Sequence, residues 1–181
     1  SGIDVAGWVD GGALEGATAF GARDAFVVKY DHTGTLVWTR QYGTTMYDDA
    51  VDVAVDSTGV YVVGLTLGAL ASGSQVIQSA YIRKYALSGG APDGLWTDQF
   101  RAYTAEGVAT DGTAVYFVGY FGLGSATAFI KKYDANGLAL WGTTFFTNSL
   151  DPGLDVAAGP TGAAYLVGFT SRNLETGQLL A

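Results

Sequence analysis

The chain has 181 residues, with 17 acidic and 9 basic side chains for a net charge of −8, no cysteine and a single histidine, His32. That composition excludes disulfides, iron–sulfur clusters, thiol nucleophiles and cysteine-type zinc sites. A single histidine argues against a Ser-His-Asp triad and against a histidine-based metal site, and without a Lys/Arg cluster the electrostatic footprint of a nucleic-acid binder is missing.

Taken in chain order, the predicted elements are all short strands. Ile3-Asp-Val-Ala-Gly7 precedes a long loop. Asp24-Ala-Phe-Val-Val-Lys-Tyr-Asp31 then turns through Asp31-His-Thr-Gly34 into a strand bearing Trp38. Ala50-Val-Asp-Val-Ala-Val55 turns through Asp56-Ser-Thr-Gly59 into Val60-Tyr-Val-Val-Gly64, and Ser79-Ala-Tyr-Ile-Arg-Lys-Tyr-Ala86 leads to Trp96. The same order returns as Ala105 to Ala109, Val115 to Gly119, Ala126 to Asp134 and Trp141, and then as Gly153 to Ala157 and Ala164 to Gly168. β-branched and aromatic runs stopped by glycine predict buried strands, and the Asp/Gly turns supply the positive φ of tight hairpins.

The Lys-Tyr pair recurs at 29/30, 84/85 and 132/133, and Val53, Val108 and Val156 each follow its lysine by 24 residues. A period near 50 residues made only of strands points to a propeller or similar stacked array. The expected fold is therefore an all-β propeller of four-stranded antiparallel blades, about three blades with incomplete end blades. Lettering each repeat a to d, the chain reads b-c-d, a-b-c-d, a-b-c-d, a-b. These thirteen strands form one partial domain with repeat units at about 1–47, 48–102, 103–150 and 151–181. Such an arc is expected to be completed by the remainder of a larger propeller or by a second copy of the chain.

Within this frame Trp38, Trp96 and Trp141 are expected to bridge neighbouring blades, each burying roughly 150–250 Å². The repeated Lys29, Lys84 and Lys132 are expected to pack their stems between blades while the ammonium reaches a carboxylate or carbonyl. The carboxylates carry the chemical promise. Asp48, Asp49 and Asp52 lie on or before one inner strand, Asp151 and Asp155 match positions 48 and 52, and the third repeat breaks the pattern with Tyr103 and Gly107. Gathered at one end of a channel they would offer oxygen ligands to calcium; alternatively they bond turn backbone N–H groups. Exposed aromatics at loop edges (Trp8, Tyr47, Tyr120, Phe121) suit carbohydrate or a surface protein.

Asp-Ala-Phe-Val-x-Lys-Tyr-Asp-x-x-Gly, the Trp, Gln41-Tyr-Gly43, the Val-Ala-Val-Asp-x-x-Gly turn and Val-Tyr-Val-x-Gly together resemble the SBBP family of bacterial propeller repeats, along nearly the whole chain. The second repeat departs from that pattern with Ala86 in place of Asp and no Gly after Phe100. The resemblance implies a propeller in a secreted or cell-surface bacterial protein and no particular chemistry. The expected function is non-enzymatic binding or scaffolding through the loops, without a resident cofactor other than possible calcium. The alternatives are a calcium-stabilised repeat of a surface layer or filament, and a carboxylate-dependent glycan hydrolase or lyase. No run approaches the ~18 apolar residues of a membrane span.

Overall fold

The computed structural model describes residues 2–89, 95–122, 126–145 and 150–171. Residues 90–94, the short loop at 123–125 with Gly124, residues 146–149 and the end of the fourth repeat unit at 172–181 lie outside the described residues. Among the described residues thirteen strands form four antiparallel sheets, each drawn from one contiguous stretch of chain. The first sheet holds β1 (Ile3–Asp10), β2 (Arg23–Tyr30) and β3 (Leu36–Tyr42). The second holds β4 (Asp48–Asp56), β5 (Gly59–Thr66), β6 (Ser79–Tyr85) and β7 (Trp96–Phe100). The third repeats that order with β8 (Thr104–Thr110), β9 (Ala114–Phe121), β10 (Thr127–Asp134) and β11 (Ala139–Phe145). The fourth holds β12 (Gly153–Ala158) and β13 (Ala164–Gly168). The all-β, four-stranded antiparallel expectation therefore holds, and no closed ring of sheets is present among the described residues.

The hairpin turns are closed by their aspartates. Asp31 Oδ1 accepts from Thr33 N at 2.8 Å and Thr35 N at 2.9 Å, Asp56 Oδ1 from Thr58 N at 2.6 Å, and Asp111 Oδ1 from Thr113 N at 2.8 Å. A short acceptor side chain bonding two residues ahead gives the backbone an alternative to the ladder and fixes the turn.

The sheets stack face to face in chain order. Alternation along each strand sends successive side chains to opposite neighbours. Val60 and Val62 pack with Ala25, Val27, Trp38 and Tyr42 of the first sheet, while Tyr61 and Val63 pack with Val108, Phe117, Phe129 and Tyr133 of the third. A smaller core of Tyr116, Val118, Ile130 and Val156 joins the third sheet to the fourth. Along the inner edge β1 lies beside β4, β4 beside β8 and β8 beside β12. All hairpins of the a–b and c–d type fall at one end of the stack (the turn end), and the b–c loops fall at the other (the loop end).

At the turn end each tryptophan clamps the next sheet. Trp38 Nε1 donates to the Leu87 carbonyl at 3.2 Å, with its ring 6.5 Å from Tyr85. Trp96 Nε1 donates to the Ala135 carbonyl at 3.3 Å and stacks on Tyr133 at 5.9 Å. Trp141 does not bridge two sheets. It is 45% exposed, and among the described residues the fourth sheet consists of β12 and β13 and offers no c–d turn to receive it. The lysines also divide. Lys84 Nζ crosses to the Ala135 carbonyl at 2.7 Å, whereas Lys29 pairs within its own sheet with Asp4 at 3.0 Å, its cross-strand partner. Lys132 Nζ sits over the Tyr116 ring at 4.9 Å, a cation–π contact inside its own sheet.

Candidate functional site

The five carboxylates singled out from sequence occupy three environments rather than one channel mouth. Asp48 is fully buried, its Oδ2 accepting from Thr44 N at 2.6 Å and Thr44 Oγ1 at 2.9 Å, and its Oδ1 from Thr66 Oγ1. It fastens the crossover from β3 to β4. Asp151, its counterpart, is also buried, and its backbone N donates to the Ala126 carbonyl at 2.8 Å. Asp49 turns instead to Arg23, with Oδ2 3.3 Å from Nη1. Burial raises the Asp49 carboxyl above its ordinary value, against the opposing pull of the Arg23 charge.

Asp52 and Asp155 belong together. Each of β4, β8 and β12 carries a register shift at the same place, between Ala50 and Asp52, Ala105 and Gly107, and Gly153 and Asp155. A bulge re-aims the side chain that follows it. Asp52 thereby accepts from its neighbour Val53 N and from Val108 N of the next sheet, both at 2.8 Å. Asp155 accepts from Val156 N at 2.7 Å and lies against Gly107, where a Cβ would stand 2.9 Å from its Oδ1. The break in the third repeat is thus steric, since glycine at 107 makes room for the carboxylate from the fourth sheet. Burial raises the Asp52 carboxyl, and the charge of Asp155 adds to that.

Among the described residues no three His, Asp or Glu side chains converge on a point that could hold a metal ion. The buried Asp24 Oδ1 and Asp49 Oδ1 have no hydrogen-bond partner. Asp24 approaches Asp48 over Gly43, where a Cβ would stand 2.6 Å from Asp24 Oδ1 and 3.0 Å from Asp48 Oδ2. At the turn end, a cavity of about 450 Å³ between the first two sheets is lined by Asp4, Lys29, Val53, Val55 and Asp56 among others. Its ionic groups are already engaged: Lys29 with Asp4, and Asp56 with the hydroxyls of Thr58 and Thr110.

The loop end is built differently, and sequence reading missed its fixing residues. Gln41 reaches back under the loop between β1 and β2, with Oε1 accepting from Leu14 N at 2.8 Å and Nε2 donating to the Gly12 carbonyl at 2.7 Å and to Asp24 Oδ2 at 2.8 Å. Gln99, three residues after its tryptophan like Gln41, does the same for the loop after β5. Its Oε1 accepts from Leu70 N at 2.8 Å and Ala71 N at 3.0 Å, and its Nε2 donates to the Gly68 carbonyl at 2.8 Å. The third repeat has Thr144 there and a short loop with nothing of that length to hold. The available signal was this repeat-wise match between glutamine and loop length.

On this held surface stands an aromatic cluster. The Arg23 guanidinium lies between Trp8 and Tyr47, 5.4 and 5.3 Å from their ring centroids. It is fixed by Asp10 at 2.7 Å and Asp49 at 3.3 Å. Both rings stay about half exposed, at 50% and 49%. Tyr120 takes the position of Trp8 two sheets on and stacks with Tyr103 at 5.2 Å, while Phe121, beside it at the end of β9, packs its ring 5.3 Å from Phe129. Burial pushes up both the Tyr120 hydroxyl and the neighbouring Glu106 carboxyl. The arrangement offers flat apolar faces beside oriented donors and acceptors, without a nucleophile–base pair.

The chain matches no protein-family model and no curated protein sequence.

Proposed function

We propose that the chain is an arc of a β-propeller of the SBBP type that acts as a non-enzymatic recognition scaffold of a secreted or cell-surface bacterial protein, with carbohydrate as the ligand class at the loop end. The observation that carries the reading is the Trp8–Arg23–Tyr47 sandwich, held on the framework of two loops stapled by Gln41 and Gln99. Half-exposed rings held beside a guanidinium suit the apolar faces of sugar rings, and they are already ordered before a ligand arrives. Asp10, whose side chain is exposed, places an acceptor for sugar hydroxyls beside them. The expected result is binding on a glycan array, followed by titration through tryptophan fluorescence. Trp8→Ala should weaken it at least tenfold with the melting temperature nearly unchanged. A folded wild-type chain that retains no glycan overturns the reading.

A second reading, calcium stabilisation, is favoured by the unpartnered Asp24 Oδ1 facing Asp48 across Gly43. A ligand bound to the native state alone raises stability by mass action. Calcium at millimolar concentration should therefore raise the melting temperature of wild type and not of Asp24→Asn; equal curves remove this reading.

A further inference from the structure

Arg83 and Lys131 occupy one repeat position, two residues before Tyr85 on β6 and Tyr133 on β10. Strand alternation turns both toward the preceding sheet, Arg83 with Tyr81 and Tyr85 toward the first and Lys131 with Phe129 and Tyr133 toward the second. The matching position on the d strand of that preceding sheet lies two residues after its tryptophan. It holds Asp98 for Lys131 and Arg40 for Arg83.

Between the second and third sheets the cation has its counter-charge. Asp98 Oδ2 lies 3.9 Å from Lys131 Nζ and accepts from the Tyr133 hydroxyl, while the ammonium stands 3.7 Å over the Phe100 ring. The Lys131 side chain is still 29% exposed. Between the first and second sheets the same two positions hold two cations. Arg83 is only 5% exposed, yet it has no ion pair or hydrogen bond among the described residues, and its Nε is buried without a partner. Its guanidinium lies 4.7 Å from the Tyr42 ring centroid and 5.5 Å from that of Tyr85. Such contacts offset only part of what burying a charge costs. Arg40 stands on a third ring of the same cluster, 5.9 Å from Trp38, with Nε donating to the Gly89 carbonyl at 2.8 Å and Nη1 to that of Thr39 at 2.7 Å. Trp38 and Tyr42 in turn lie 6.5 and 5.8 Å from Tyr85. The more deeply buried of the two repeat-matched cations is thus the one that lacks a carboxylate.

We propose that Arg83 and Arg40 form an anion site between the first and second sheets, and that it takes a phosphate group. The ligand plays for Arg83 the part that Asp98 plays for Lys131. Of the Arg83 nitrogens only Nε is sealed from solvent without a partner. The Nη pair therefore remains as the end open to a ligand, and it presents two parallel donors to the oxygens of one group. Two guanidinium charges match the nearly double negative charge of inorganic phosphate or a phosphate monoester near neutral pH, whereas a single carboxylate would balance one. Only the stacked sheets are needed for this site, so an empty glycan array leaves it standing.

Isothermal titration of the whole chain with inorganic phosphate in a chloride buffer should show saturable binding. Arg83→Met keeps the stem and removes the charge, while Arg40→Asp copies the carboxylate of the next interface into this one. Each should weaken binding at least about tenfold, the loss of one charge-assisted hydrogen bond or more. Lys131→Met, at the same repeat position one interface on, should bind phosphate as wild type does. Phosphate also stabilises folded proteins by exclusion from their surfaces, so melting is compared between chains: the phosphate-induced rise should be larger in wild type than in either arginine variant. Glucose 6-phosphate separates two sources of the same group. If it binds, the site admits a phosphoryl group carried on a larger molecule; if phosphate binds and it does not, the site takes the free ion. Absence of saturable phosphate binding by the folded wild type overturns the proposal. So does undiminished binding by a cooperatively melting Arg83→Met or Arg40→Asp, and where one of these fails to fold the other carries the test.

Discussion

Gly34, Gly89 and Gly137 share one backbone conformation, φ near +85°, yet they differ in what surrounds them, which makes them a measure of the clamp. A side chain at such a φ costs about 1–2 kcal/mol from backbone sterics alone. At Gly34 that is the whole cost, since nothing lies within 4 Å. At Gly137 the added methyl also meets Trp96, a ring stacked on Tyr133 and hydrogen-bonded to Ala135, so it cannot swing aside cheaply. Overpacking of this kind costs about 1–3 kcal/mol more. Urea denaturation should therefore show Gly137→Ala clearly less stable than Gly34→Ala. Equal losses would mean that the tryptophan gives way freely and does little to hold the sheets together.

At the scale of the strand and loop, Gln99 is the residue whose removal should say most. Gln99→Ala withdraws acceptors from Leu70 N and Ala71 N and a donor from the Gly68 carbonyl. Each part-buried backbone group left without a partner costs about 1–3 kcal/mol, less whatever water restores. Protease cleavage within residues 67–78 should accelerate many-fold, while the strands on either side keep their hydrogen-exchange protection. Unchanged cleavage would show the loop to be held by its own packing. This element also marks where sequence reading stops. The strands were legible because alternation and glycine stops are local, and the constant interval from lysine to the Val-Ala pair fixed their order. The glutamine staples were not, because their partners lie 27 to 31 residues away and are backbone groups that carry no residue signal. The carboxylates looked alike in sequence, and it took three-dimensional contacts to separate the turn fastener Asp48, the Arg23 partner Asp49 and the sheet-to-sheet link Asp52.

For the whole molecule the question is how far each sheet leans on the next. The chain packs as a series in which a sheet contacts mainly its neighbours, so stability is close to a sum of sheet terms and interface terms. Trp96 sits inside such an interface, stacked on Tyr133 and near Tyr61 at 6.2 Å. Trp141 occupies the same repeat position and, among the described residues, has its ring contact with Tyr116 of its own sheet, at 6.3 Å. Truncating a fully buried tryptophan typically costs about 3–5 kcal/mol, from lost transfer energy and the cavity left behind. Trp96 is partly buried, so Trp96→Ala should lose an amount toward the lower end of that range and uncouple the second and third sheets, visible as a broadened or two-step melt. Trp141→Ala should lose less than half as much, because a half-exposed ring has less apolar surface to return to water. If the two substitutions prove equally costly, Trp141 is packed as deeply as Trp96.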